Sequence, residues 1–279
     1  MQKRDDKYST NKDLAEVGIH VVRSVLVGEK SGEGLLALDS LTEELLSDEH
    51  GITFPAIVKP IRGRGSQGVV KVRSLAHLQE VTRSLLSESE SVECVGTSEK
   101  REVPRYGDAL MLEQFLDGIE LTITVMPPGV YSSPFGSLVP QQEVEGQPTN
   151  HRGYIALPPV TRFNHQDGVA PYNGVVAVVE NSRLLSEEEQ KDFKVQEVRD
   201  ISIFPFIFSH TPVSNKVMRH CERAAERVGA LMPIRIDCRG YATKDLPIQL
   251  FDLNMKPNMT GSLNPSVFCI LLQLIPHPF

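Results

Sequence analysis

The glycine-rich stretch Gly63-Arg64-Gly65-Ser66-Gln67-Gly68 constrains the fold more than any other feature, because of what flanks it. Before it stands Phe54-Pro55-Ala56-Ile57-Val58-Lys59-Pro60, a short apolar strand that ends in lysine. After it comes Val69-Val70-Lys71-Val72, a second strand. The order is strand–loop–strand, so the loop is the turn of a hairpin and not the strand-to-helix turn of a P-loop. Glycines let backbone N–H groups come close to an anion, and Lys59 supplies a cation beside them. An ordinary hairpin without a ligand is the alternative reading of this stretch alone.

Periodicity sets the rest of the chain around that hairpin. Thr10 reads as the N-cap of a short helix to Val17, with Asp13 near its positive end and Gly18 as the stop. Residues 20–27 are strand-like and 40–46 fit a helix. Ser74 caps a helix that puts Leu75, Leu78, Val81 and Leu85 on one face. Residues 87–105 are polar and charged, a long surface connection. Residues 109–112 form an apolar strand, and 119–126 alternate as a half-buried strand should. A proline- and glycine-rich passage, 127–172, has the length of a functional loop. Another strand is expected at 174–181. Residues 216–231 make an amphipathic helix with Val217, Cys221, Ala224, Ala225, Val228 and Leu231 inward, and strands follow at 233–238 and 247–254.

Bulk properties exclude several functions. A formal net charge of −7 disfavours a nucleic-acid binder, whose partner needs a basic face, but leaves room for a local basic pocket. The N-terminal Met-Gln-Lys-Arg-Asp-Asp-Lys is too polar for a signal peptide. The most apolar stretch, 267–275, falls short of the about 20 residues that cross a bilayer and reads as a buried terminal helix. The expectation is a soluble cytoplasmic protein with no membrane and no nucleic-acid partner. Cysteines 94, 221, 238 and 269 show no CxxC or zinc spacing and read as free thiols. His20, His50, His77 and His220 form no metal or triad pattern, and no GxSxG elbow is present.

The clearest chemistry lies near the C-terminus. In Ile234-Arg235-Ile236-Asp237 the isoleucines share one strand face while Arg235 and Asp237 share the other. In Gln249-Leu250-Phe251-Asp252-Leu253-Asn254, Asp252 and Asn254 point together, away from Phe251 and Leu253. If the strands pair through a turn near 243–245, two carboxylates, an amide oxygen and a guanidinium meet on one face. Such charges among apolar neighbours need partners or a metal, and these oxygens suit Mg²⁺. An Arg235–Asp237 or Arg235–Asp252 salt bridge on a solvated face is the alternative.

In chain order these motifs resemble the ATP-grasp superfamily and its D-alanine–D-alanine ligase branch. Residues 54–60 with Gly65-Ser66-Gln67-Gly68-Val69 resemble the family's lysine strand and phosphate-covering loop. Leu112-Glu113-Gln114-Phe115-Leu116-Asp117-Gly118-Ile119-Glu120 resembles its adenine hinge. Arg235-Ile236-Asp237 with Phe251-Asp252-Leu253-Asn254-Met255-Lys256-Pro257-Asn258 resembles its metal signature, and Asp6-Lys7 the start of its central domain. The resemblance implies an α+β fold of two lobes with mainly antiparallel sheets clamping ATP, divided as 1–113 and 114–279. It implies that Lys7 and Lys59 contact the ATP phosphates, with Ser66 touching them from the loop. Glu113, Gln114 and Leu116 would line the adenine, partly through backbone groups, and Glu120 would hold the ribose. Asp237, Asp252 and Asn254 would hold two Mg²⁺ ions, Mn²⁺ being the alternative, and Arg235 would stabilise the charged intermediate. The implied reaction activates a carboxylate as an acyl-phosphate, which an amine then attacks. The implied partners are ATP and small amino-acid-like substrates.

The chain departs from the family pattern in places. The match begins at residue 6, so the family's N-terminal domain is expected to be absent or supplied by a partner or through self-association. Asp252 stands where the family usually has Glu, one methylene shorter. Asn258 stands where a glycine supplies an oxyanion-hole N–H. Gly65 replaces a serine that helps lock the lid, and Tyr172 is the candidate lid tyrosine. Arg152 or Arg162 would replace the missing lid lysine, and Ser262 would bind the acceptor carboxylate. A non-catalytic ATP-binding module, or a fragment of such a ligase, is the competing reading.

Overall fold

The computed structural model describes residues 6–63, 66–93, 100–128, 153–157, 159–169, 182–184, 212–242 and 247–255. The helices are α1 (Lys7–Glu16), α2 (Leu75–Ser87) and α3 (Pro212–Arg227). The strands are β1 (Ser24–Gly28), β2 (Leu35–Ala37), β3 (Ala56–Pro60), β4 (Val70–Val72), β5 (Ser89–Glu93), β6 (Lys100–Pro104), β7 (Leu110–Gln114), β8 (Glu120–Met126), β9 (Ile155–Ala156), β10 (Val160–Arg162), β11 (Ser182–Leu184), β12 (Ile234–Arg239) and β13 (Gln249–Asn254). The chain divides into two compact units. The first holds Met1–Asp13, Val21–Asp117 and Asn164–Val176; the second holds Leu14–His20, Gly118–Phe163 and Ala177–Phe279.

The first unit is built on a sheet of order β2-β1-β7-β3-β4, antiparallel except where β1 meets β2. Strand alternation divides its side chains into two faces. Val25, Val27, Ala56, Val58, Val72, Leu110 and Leu112 go to one side, where they form a core with Leu78 and Leu85 of α2 and with Leu38, Leu46 and Ile52. Each such leucine contributes about 1.5–3 kcal/mol by leaving water. The hairpin forms as expected, with Ile57 opposite Lys71 and Val58 opposite Val70. Ile57, Lys59, Lys71, Met111 and Glu113 therefore share the opposite face, since Ile57 pairs with Glu113 on its other side and Lys59 with Met111.

Several local expectations are corrected here. Helix α1 starts at Lys7, and Asp6, not Thr10, caps it by accepting the Ser9 N–H at 2.8 Å. Aspartate is a better cap than threonine, and Asp13 then lies in the body of the helix. Ser74 does cap α2, accepting from the His77 N–H at 3.2 Å. The helix expected at 40–46 is a 3-10 turn, Leu38–Ser40, followed by a π turn, Leu45–Glu49. The expected surface connection 87–105 contains β5 and β6, paired antiparallel. Their sequences, Ser-Glu-Ser-Val-Glu and Lys-Arg-Glu-Val-Pro, carry no apolar face for periodicity to reveal.

The second unit is an antiparallel sheet of order β11-β10-β8-β12-β13, with β9 paired to the end of β8. Leu121, Ile123, Val125, Ile234, Ile236, Cys238 and Leu250 are buried, and α3 brings Cys221 against Cys238 with 3.7 Å between sulfurs. Helix α3 ends at Arg227, short of the expected 231, so Leu231 lies outside it and is 82% exposed instead of inward. Strand β8 was expected to be half-buried, but all seven of its residues are buried. Strands β9 and β10 fall inside the expected loop 127–172; at two and three residues they are too short to show a period. The strand expected at 174–181, the turn at 243–245 and the helix at 267–275 lie outside the described residues. No helix among the described residues is long and apolar enough to cross a membrane.

Candidate functional site

On the non-core face of the first unit, Lys59 of β3 meets Glu113 of β7 with Nζ 2.8 Å from Oε2. Their side chains are only 5% and 6% exposed, so each charge offsets much of the cost of burying the other. The next residue, Gln114, turns to the fold itself. Its Oε1 accepts the Thr53 N–H at 2.8 Å, its Nε2 donates to the Phe115 carbonyl at 3.1 Å, and its N–H donates to the Arg23 carbonyl at 3.0 Å. Leu116 is 4% exposed. Lys7 opens α1, its N–H donating to the Ile61 carbonyl at 3.2 Å.

The glycine-rich loop is anchored at its return arm. Ser66 has φ +58, and its carbonyl accepts the Val69 N–H at 3.3 Å. Gly68 has φ +69, and a Cβ there would stand 2.8 Å from Pro60 Cγ and 3.2 Å from Tyr106. Only glycine suits that backbone and that space. A second built turn belongs to the same unit. Asp167 and Gly168 both have positive φ, and the Gln166 and Val169 backbones exchange hydrogen bonds of 2.9 and 3.0 Å, the pattern of a type I′ turn. Asp167 is ion-paired with Arg73, and Gly168 lies so close to Phe115 that a Cβ would come 2.7 Å from the ring.

The second unit carries the metal-type constellation. β12 and β13 pair with Arg235 opposite Asn254 and Asp237 opposite Asp252, so all four share one face as expected. A bulge follows Asp237, and Cys238 points to the other face against Cys221. Thr122 of β8, opposite Asp237 in the ladder, donates to Asp237 Oδ1 at 2.8 Å, while Arg235 Nη2 donates to Oδ2 at 3.2 Å. The salt bridge weighed as an alternative is thus present, between a half-buried Arg235 and a buried Asp237. Asp237 first, with Asp252 and Glu120, makes the Arg235 guanidinium harder to deprotonate, against the opposing effect of burial. Burial, then Cys221 and the neighbouring carboxylates, pushes the Cys238 thiol well up.

A further row crosses this face: Arg162 of β10 opposite Glu120 of β8, and Glu120 opposite Arg239 of β12. All three are buried, and Arg239 is ion-paired with Glu120. The donor set fits a magnesium ion chemically, since Mg²⁺ binds through one or two carboxylates plus waters and phosphates. Among the described residues no group of three or more His, Cys, Asp or Glu converges, so two carboxylates and the Asn254 amide are the available set.

Sequence reasoning found Lys59, Glu113, Arg235, Asp237, Asp252 and Asn254, and the structure brings them together within their units. It missed Thr122 and Arg239, which alternation from Glu120 and Asp237 puts on the same face. It also missed the His20–His220 stack, with ring centroids 4.7 Å apart. Gly65, Tyr172, Asn258, Ser262 and Arg152 lie outside the described residues.

No family model matches the chain. A D-alanine–D-alanine ligase from Francisella tularensis subsp. holarctica (strain LVS) is 29% identical over 113 residues, 40% of this chain and 31% of that protein. Among solved structures, the D-alanine–D-alanine ligase from Coxiella burnetii matches with a TM-score of 0.55 at 15% identity, covering 96% of this chain and 55% of that one. VanG D-Ala:D-Ser ligase from Enterococcus faecalis matches with a TM-score of 0.51 at 13% identity, covering 94% and 55%. The chain therefore matches 31% of the curated relative's length and spans 55% of these solved chains. It shares their fold, a mixed α+β fold with antiparallel sheets.

Proposed function

We propose that this chain carries the nucleotide- and magnesium-binding machinery of an ATP-dependent ligase that joins an amino-acid-like carboxylate to an amine. One observation above all supports the reading: the cross-strand set Arg235, Asp237, Asp252 and Asn254 on one sheet face, with Asp237 buried and the other three half-buried. In it, Asp237, Asp252 and Asn254 would hold one or two Mg²⁺ ions, or Mn²⁺. The bound ion would neutralise polyphosphate charge and leave the γ-phosphorus open to attack. Lys7 and Lys59 would bind the phosphates, with Ser66 over them. Glu113, Gln114 and Leu116 would line the adenine; for Gln114, whose amide and N–H are used by the fold, that leaves the carbonyl. Glu120 would hold the ribose.

A substrate carboxylate would attack the γ-phosphate, giving an acyl-phosphate and ADP. The amine would then add to the acyl carbon and expel phosphate. Arg235 would offset the negative charge that develops, which is where positioned cations contribute most. The Asn258 N–H would serve as an oxyanion donor, and Tyr172 and Ser262 would contact the substrates. A second reading, a nucleotide-binding module without turnover, is favoured by one observation: both Asp237 oxygens already accept bonds, from Thr122 and Arg235.

Calorimetry of ATP binding, with and without Mg²⁺, tests the site. The parent is expected to bind more tightly with Mg²⁺, and an Asp252→Ala/Asn254→Ala variant to lose that gain. Phosphate release across an amino-acid panel then separates ligase from binding module. A folded parent that binds no ATP would sink the nucleotide reading.

A further inference from the structure

The non-core face of the first unit carries two lysines, and they are held very differently. Lys59 is tied to Glu113 at 2.8 Å, so much of its charge is already answered. Lys71, on the neighbouring strand, reaches the same face because Ile57 pairs with both Glu113 and Lys71. Lys71 makes no ion pair among the described residues; its Nζ lies 3.9 Å from the centroid of the Phe115 ring. A cation over an aromatic face is held far more weakly than one against a buried carboxylate.

The surroundings of Lys71 are built, not incidental. The type I′ turn at Asp167-Gly168 lies against Phe115, and the point where a Gly168 Cβ would stand is 3.6 Å from Lys71 Nζ. A Cβ there would clash with the ring and come into ordinary contact with the ammonium. Asp167, the one carboxylate of that turn, is taken by Arg73 on the strand end beyond Lys71. The turn thus packs next to Lys71 without neutralising it. A half-buried lysine on this face, with no carboxylate partner among the described residues, is available to an anion.

We propose that Lys71 is a phosphate-binding residue: its ammonium, parked over Phe115, pairs with the polyphosphate of the bound nucleotide. The assignment rests on the nucleotide reading given above. It also supplies a further basic group in a chain where one of the two expected lid substitutes, Arg152 and Arg162, namely Arg162, sits in the sheet opposite Glu120.

The test compares ATP, in the presence of Mg²⁺, with adenosine, by calorimetry on the full chain, for the parent, Lys71→Met and Lys71→Arg. Methionine keeps the unbranched stem and removes the charge. The expected result is a fall in ATP affinity of about tenfold or more in Lys71→Met, the worth of one charged hydrogen bond. Adenosine affinity is expected to hold within about twofold, because it carries no phosphate, and Lys71→Arg to recover most of the ATP affinity. If Lys71→Met keeps the parent's ratio of ATP to adenosine affinity, or weakens both ligands equally, Lys71 only supports Phe115 and the assignment is overturned while the nucleotide reading stands. A parent that binds neither ligand overturns both.

Discussion

Lys59 and Glu113 are each more than nine-tenths hidden, and each charge answers the other at 2.8 Å. Removing one partner of such a pair costs about 3–5 kcal/mol, because the remaining ion is stranded away from water. Glu113→Gln is therefore expected to lower unfolding stability by that amount in urea titration. Adding Lys59→Met should return most of it, since a buried pair replaced by apolar groups is often neutral. A Glu113→Gln single variant as stable as the parent would show that other contacts hold the Lys59 charge and that the pair adds little. These residues were legible in the sequence because a strand alternates: Lys59 ends an apolar run, and Asp237 and Asp252 interrupt two others. Lys71 was not, because its face depends on the hairpin register, which sets Ile57 opposite Lys71 and is fixed by the turn. Arg239 likewise needed its neighbour in space, Glu120, which lies 119 residues away in sequence.

Helix α3 is fastened to β9 by a polar contact inside an otherwise apolar interface. Glu222 accepts the Ala156 N–H at 3.0 Å, and burial pushes its carboxyl pKa from 4.5 to about 7, against the lowering effects of that bond and of Arg219. The raised pKa means the folded state binds this proton more strongly than the unfolded chain. Stability from this group is then greatest below pH 4.5, declines as pH rises from there to about 7, and is level above. Glu222→Gln keeps an oxygen for Ala156 and removes the ionisation. It is expected to stabilise the protein at pH 8 by about 1–3 kcal/mol, and to change little at pH 4.5. Urea midpoints at the two pH values check this; a loss larger at pH 8 than at pH 4.5 would mean the carboxylate is wanted in its charged form, and an equal change at both that its ionisation does not matter. At this scale the sequence announced the elements with strong apolar periods, α2, α3, β3, β8 and β12. It concealed β5 and β6, which have no apolar side, and β9 and β10, which have no length.

The whole chain has a formal net charge of −7, while its site faces are locally basic or balanced among the described residues. The second unit's face carries Arg162, Arg235 and Arg239 against Glu120, Asp237 and Asp252, three charges of each sign. The first unit's face carries Lys59 with Glu113, and Lys71 besides. An approaching nucleotide is anionic even with magnesium, so the acidic surface repels it at long range while nearby cations attract it at short range. Salt separates these two effects. The Debye length shrinks from about 30 Å at 0.01 M to about 8 Å at 0.15 M, which erases the distant repulsion before it weakens contacts a few ångströms long. The association rate for ATP is therefore expected to rise, by about two- to threefold, over that range of ionic strength. Dissociation should change less. Stopped-flow mixing with a fluorescent ATP analogue measures both. A basic nucleotide-binding surface gives the opposite trend, falling steeply with salt. A falling association rate here would mean that the local cations, Lys71 foremost, project their field well beyond the site and outweigh the net charge of the chain.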